Sequence, residues 1–359
     1  MNALLILLGA FSLTLLISNL GFFKKANAFS YISIPLILGL AFSPDGLVPI
    51  LPSTRESLSW ALRVGLTWIT FLAGSQMTRF SFGWGHTKKL FPFLIGYLLF
   101  FGLSFLLVAS VYYTKNQYEV LGVALMMSAA LFSSKENPFL LALLFLSLFL
   151  ILDGGGQVFH FRDLIYSLGI GVLLGIVFRL IYPPNKGLDT PTRLTLLGLC
   201  VLGTGWAIGM RSLEVLTGLG FGWVMAINYS YGICQDPNFR KSEVPLRLVV
   251  PFFAGLYLQL NGEVILIGSA LALFRIVLKW FLVKSGLRTA SKEEVLSQII
   301  PISHLALPVT LCLHLSGYSN ENTLFILNCF CVGFVVNDLF ALTIESFSRR
   351  TEKKEEAFS

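Results

Sequence analysis

Hydrophobic positions along this chain gather into long runs, and short clusters of Lys, Arg, Gly, Pro and Asn separate them. Several runs extend for about 20 residues, roughly the length of helix that crosses a ~30 Å hydrocarbon core. Inside lipid a backbone must satisfy its own polar groups, which favours helices. The ~10-residue alternating segments of a membrane barrel are absent. Hydropathy and turn residues together predict thirteen helices, over 2–20, 29–49, 57–77, 90–112, 119–133, 138–160, 163–182, 192–210, 212–231, 245–260, 263–284, 295–316 and 322–344. The charged tail from Ser346 reads as disordered.

Composition agrees. Of 359 residues 55% are hydrophobic and only 13% charged, about half the charge of a soluble domain. The reading is therefore an all-α polytopic membrane protein. The first run needs one check, because Ala26-Asn27-Ala28 mimics a signal-cleavage site. Its basic pair, Lys24-Lys25, follows the apolar run instead of preceding it, so the segment reads as a first spanning helix with the N-terminus outside.

The net charge of +7 then acquires a direction. With thirteen spans, cytoplasmic loops and the tail receive nineteen of the 26 Lys and Arg residues, the outer side five, and Arg275 and Lys279 fall within a span. This asymmetry follows the positive-inside rule, and a wrong helix count would scramble it. It places the C-terminus in the cytoplasm of a cell with an inner membrane. Nucleic acid is not the implied partner. The five cysteines lie mostly in apolar runs and read as small core residues, not as a disulfide framework.

Thirteen spans also permit two inverted six-helix repeats, 1–160 and 192–345, joined by a linker helix over 163–182 in one transmembrane domain, with 346–359 as a cytoplasmic tail. Two corresponding spans are irregular. The fifth is short ("GVALMMSAALFSS"), and the twelfth carries Pro301 and Pro308. Discontinuous helices at matching places in two halves point to a midplane site.

Polar chemistry inside the runs is sparse. Arg63, Glu214, Asp338 and Glu345 stand near span ends, where a long side chain can snorkel, although Asp338 occupies the place that matches Asp153 in the other half. Asp153 is different. It lies ~4–5 Å past the centre of the sixth span, ahead of three glycines. A carboxylate at that depth needs a cation, a base or a proton beside it, and exchanging those companions is what cation/proton antiport requires. The other reading is a helix-ending Asp facing a water-filled vestibule. The natural basic partners are Arg275 and Lys279, four residues apart on one helix face. His304 is a secondary candidate for proton handling, and His314 reads as a hydrogen-bonded membrane histidine.

At these residues the chain resembles the monovalent cation:proton antiporters, the Na+/H+ exchanger and Kef-type superfamily. "IPLILGLAFSPDGLVPI" (33–50) followed by "LRVGLTWITFLAGSQM" (62–77) resembles the family's second and third helices. "SLEVLTGLGFGWVMA" (212–226) and "VPLRLVVPFFAGLYLQL" (244–260) resemble two later ones, in the family's order. The resemblance implies a homodimer in which spans 4–6 and 11–13 form a moving core and the others a scaffold. It further implies crossed, unwound fifth and twelfth spans, elevator-like alternating access, and an ion site at Asp153 with Ser128 and Ser133 as candidate ligands. No cofactor or resident metal is implied beyond the transported Na+, K+ or Li+ and the proton. The chain departs from the family pattern twice. Leu152 fills the first position of the usual Asp-Asp or Asn-Asp pair, and the Thr-Ser-Pro or Thr-Asp-Pro unit of the fifth span is missing. A single site carboxylate suggests electroneutral exchange.

Two rivals stand beside antiport. One is a sodium-coupled organic-solute symporter. The other is a non-transporting membrane scaffold or sensor that keeps the antiporter architecture, favoured by Leu152. An enzyme has no support, for the chain offers no nucleophile–base set, metal spacing or phosphate loop.

Overall fold

The computed structural model describes residues 27–43, 46–47, 52–76, 87–111, 117–132, 161–182, 190–210, 212–228, 248–286, 306–315 and 321–358, with a few isolated positions elsewhere. Among the described residues the chain is helical, with no strand. The helices are α1 (Asn27–Ala41), α2 (Pro52–Gln76), α3 (Thr87–Val111), α4 (Gln117–Phe132), α5 (Phe161–Ile181), α6 (Thr190–Gly209), α7 (Glu214–Asn228), α8 (248–256), α9 (Gly262–Gly286), α10 (Ala306–Leu315) and α11 (Glu321–Phe358). Each falls on a run that the hydropathy marks out. The expected spans 2–20 and 138–160 lie outside the described residues, apart from isolated positions.

Local chemistry sets several helix ends. Asp163 in the first turn of α5 and Arg179 in its last turn complement the helix dipole. The Asn261 side chain accepts a bond from the Val264 N–H at 2.9 Å and so caps α9. Of the two prolines of the twelfth span, Pro301 lies outside the described residues, and Pro308 sits in the first turn of α10, where a missing N–H costs nothing. The tail also departs from expectation. Helix α11 continues through Phe358, because the segment after Glu345 holds neither Gly nor Pro and is rich in helix-favouring Glu, Lys and Arg.

Segments Asp163–Ile181, Thr190–Gly209, Gly262–Leu282 and Thr323–Thr343 are long and apolar enough to cross a membrane. Three of these helices also turn large apolar side chains outward: Leu173 and Ile176 on α5, Val201 and Trp206 on α6, Val277 and Phe281 on α9. Water would penalise such faces, and lipid tails match them. The described residues thus have the length and make-up of a helical membrane protein.

The helices sort into two packed groups. Helices α2, α5, α6 and α7 pack on one another; so do α3, α4, α9, α10 and α11. Helix α1 packs against α11, and α10 also reaches α2 and α7. In the first group an apolar cluster of Trp68, Phe71, Phe178, Leu196, Phe221 and Met225 fills the centre. Neighbour directions follow from residue pairs. Arg63 meets Glu214, and glycines 218 and 222 meet Thr67 and Phe71, so α2 and α7 run parallel. Gly268 meets Cys329 and Arg275 meets Asn337, so α9 and α11 run parallel too. Helices α5 and α6 are antiparallel, with Tyr182 near Thr195 and Leu174 near Gly203.

Candidate ion-handling site

Helix α9 carries Arg275 and Lys279 one turn apart, both buried, with Arg275 wholly shielded. Small residues let α11 come close on this side, for the backbone of Gly268 abuts Cys329 and Val332. The approach brings Asn337 to Arg275, whose Nη1 donates to Asn337 Oδ1 at 2.6 Å. The Asn337 side chain also lies beside the carboxylate of the next residue, Asp338. From α1, the Ser33 hydroxyl donates to Asp338 Oδ2 at 2.6 Å. A relay therefore runs from Ser33 through Asp338 and Asn337 to Arg275, with Lys279 close enough to Arg275 to feel its charge.

The relay lies within apolar segments of spanning length. Arg275 is three residues past the centre of Gly262–Leu282, about 5 Å, and Asp338 is five past the centre of Thr323–Thr343, about 8 Å. Ionisable side chains at such depth are expensive, face the bundle interior, and mark ion or proton pathways. Each needs the bonds it makes, since an unsatisfied buried charge costs several kcal/mol.

The structure joins some expected site residues and not others. Arg275 and Asp338 share the relay, and Lys279 adjoins it. Ser128, fully buried on α4, lies in the same helix group, but its hydroxyl is engaged locally. It donates to the Leu125 carbonyl at 2.9 Å and shares a 2.9 Å bond with the Tyr97 hydroxyl of α3. Asp153, Leu152, Ser133 and His304 lie outside the described residues. His314 packs its ring edgewise on Tyr257, 4.9 Å between centroids.

Two expectations are corrected. Asp338 and Glu214 do not snorkel to a solvated surface. Asp338 is 3% exposed and Glu214 0%, and each faces a partner on a neighbouring helix. Position along one span cannot reveal this, because a side chain near a helix end is free to turn inward when a neighbour supplies a bond. Asn337 is the residue that sequence reasoning missed. Its signal was present: Asn337-Asp338 are adjacent polar residues in the apolar run "GFVVNDLFAL". An amide–acid pair of the kind sought before Asp153, where Leu152 stands, is present here as Asn337-Asp338.

Among the described residues no group of His, Cys, Asp and Glu is arranged to hold a metal ion. Four of the cysteines, Cys200, Cys312, Cys329 and Cys331, are buried core residues, as their apolar runs suggest. Comparison with known protein families finds no match to this chain, and neither does comparison with curated proteins.

Proposed function

We propose that this protein is a secondary active monovalent cation/proton antiporter in which a single membrane-embedded carboxylate, Asp153, binds cation or proton alternately, with Asp338 as the secondary candidate. The observation that carries the reading is the Ser33–Asp338–Asn337–Arg275 relay, with Lys279 beside it, buried between two helices of spanning length. Arg275 and Lys279 supply the positive charge that an emptied carboxylate needs. A cation or proton arriving at the acid displaces that charge, so the two ligands compete for one place.

The helix grouping supports the transport mode. Helices α3, α4, α9, α10 and α11 correspond to the moving core that the antiporter resemblance implies, and α2, α5, α6 and α7 to its scaffold. Helix directions fit as well. Parallel α2 and α7, and parallel α9 and α11, each take odd places in a thirteen-span order, and antiparallel α5 and α6 take consecutive ones. In this reading the chain lies in an inner membrane with its N-terminus outside, carries inverted repeats with crossed broken helices, works as a homodimer, and exchanges cation for proton electroneutrally.

Everted vesicles with a pH-sensitive dye test this. Pulses of Na+, K+ or Li+ are expected to drive proton flux in the wild type, to drive none after Asp153→Asn, and to drive at least tenfold less after Asp338→Asn. Folded protein that moves no proton with any cation would place the chain with the non-transporting scaffolds. Flux that survives Asp153→Asn but not Asp338→Asn would move the site to the relay.

A further inference from the structure

Glu214 stands in the first turn of α7, fully buried, and the relay does not use it. Among the described residues neither carboxylate oxygen has a hydrogen-bond partner in good geometry. Its neighbours are Arg63 of α2 and the Cys312 thiol of α10. Arg63 Nε lies 3.7 Å from Oε1, about 0.8 Å beyond a charge-assisted N–H···O bond. The same guanidinium also donates elsewhere, as Nη2 bonds the carbonyl of Leu315 in the last described turn of α10. End carbonyls of a helix have no partner within it, and a cationic side chain is the favoured one. Two residues of α10 away from Cys312, the His314 ring leans on Tyr257, whose face is covered by the Arg55 guanidinium at 5.4 Å. Helix α2 thus grips the last turn of α10 twice, through Arg63 directly and through Arg55 by way of Tyr257.

Helix α10 packs on α11 in one helix group and touches α2 and α7 in the other. Any displacement of the groups must break the Arg63–Leu315 bond. We infer that Arg63 is an exchange latch, which holds α10 by the Leu315 carbonyl in the state described and swings onto Glu214 when α10 withdraws. The waiting carboxylate makes the exchange feasible. A guanidinium that lost its carbonyl in a largely buried site would be left with a penalty, and closing by about 0.8 Å onto Glu214 replaces the lost bond. It also accounts for a buried carboxylate held at long range: its closest partner is engaged elsewhere in this state.

The latch rests on the reading that the two groups move, and its test needs no ion gradient. Cys312 is fully buried beside Glu214, so its thiol reports withdrawal of α10. In protein retaining Cys312 alone among its cysteines, labelling by a membrane-impermeant thiosulfonate is followed in right-side-out and everted vesicles. Arg63→Gln, which removes the grip, is expected to speed labelling at least tenfold from the face that bears the start of α2. Glu214→Gln, which removes only the second partner, is expected to slow it several-fold below the wild type. Arg63→Lys, eluting as a single species, falls between wild type and Arg63→Gln. A merely structural ion pair predicts the same acceleration from both neutral variants, so faster labelling of Glu214→Gln sinks the latch. Unchanged labelling of Arg63→Gln sinks it equally. Absent proton flux with the labelling pattern intact would remove the antiport reading and leave the latch standing.

Discussion

Gly222→Ala is expected to lower the thermal midpoint of the solubilised protein sharply, and Gly218→Leu with Gly222→Leu to abolish the folded form. The two glycines lie one helical turn apart on α7 and form the seam with α2. A methyl group on Gly222 would overlap the Phe71 carbonyl oxygen and come within 2.8 Å of the Ser75 nitrogen. One on Gly218 would overlap the Thr67 carbonyl and the Thr70 hydroxyl. These obstacles are helix backbone and its nearest atoms, which cannot turn aside as a flexible side-chain tip can. Only separating α2 from α7 relieves the clash, and that separation opens the cluster around Phe71 and Phe221, whose rings stand 4.8 Å apart. Overpacking costs about 1–3 kcal/mol where neighbours can yield, and more where they cannot. In lipid, close approach of small residues is a principal source of helix association, so the seam has no hydrophobic reserve to draw on. Gly205→Ala on α6 is the matched control, as an added methyl there meets nothing within 4 Å. It should leave the midpoint unchanged or raise it slightly through helix propensity. Equal losses from Gly222→Ala and Gly205→Ala, read by size-exclusion after heating, would refute the seam.

What the sequence revealed and what it concealed divide along a physical line. An apolar run of spanning length has one stable form in lipid, so the existence and approximate ends of α5, α6 and α9 were readable from hydropathy alone. Arg275 and Lys279 were readable as a pair because helical spacing fixes their common face. Partnership between distant helices was not readable, because hydropathy describes each run without its neighbours. Glu214 and Asp338 looked alike as acids near span ends. Yet the first meets Arg63 at a seam of glycines, and the second meets Ser33 of another helix together with its own neighbour Asn337. Asn337 escaped notice for a related reason. An amide in an apolar run carries no charge and gains meaning only when a guanidinium 62 residues earlier is brought against it. The continuation of α11 into the charged tail is the converse case. Charge density argued for disorder, while intrinsic helix preference and an already formed helix before it decided the outcome.

Arg275→Leu should reduce cation-driven proton flux at least tenfold and also destabilise the protein, and the accompanying substitution decides why. The guanidinium is wholly buried and bonds Asn337 at 2.6 Å. A hydrogen bond to a charged group is worth about 1.5–3 kcal/mol. Its loss also leaves Asp338, at the other end of the relay, with less positive charge to face in a dry setting. Asp338→Asn removes that second burden. If Asn337 carries the influence of Arg275 to Asp338, the double variant Arg275→Leu with Asp338→Asn should melt at a higher temperature than the sum of the single losses predicts, by about 1 kcal/mol or more of coupling. Flux should stay low, because the double variant lacks both the Arg275 guanidinium and the Asp338 carboxylate. Recovered stability without recovered transport is therefore the signature of a charge relay used for exchange. Strictly additive losses in the thermal midpoint would show that Arg275 and Asp338 act separately, with the guanidinium only tying α9 to α11. Arg275→Lys refines the result. An ammonium keeps the charge but not the planar fork that reaches Asn337, so partial stability with weak flux is the expected outcome.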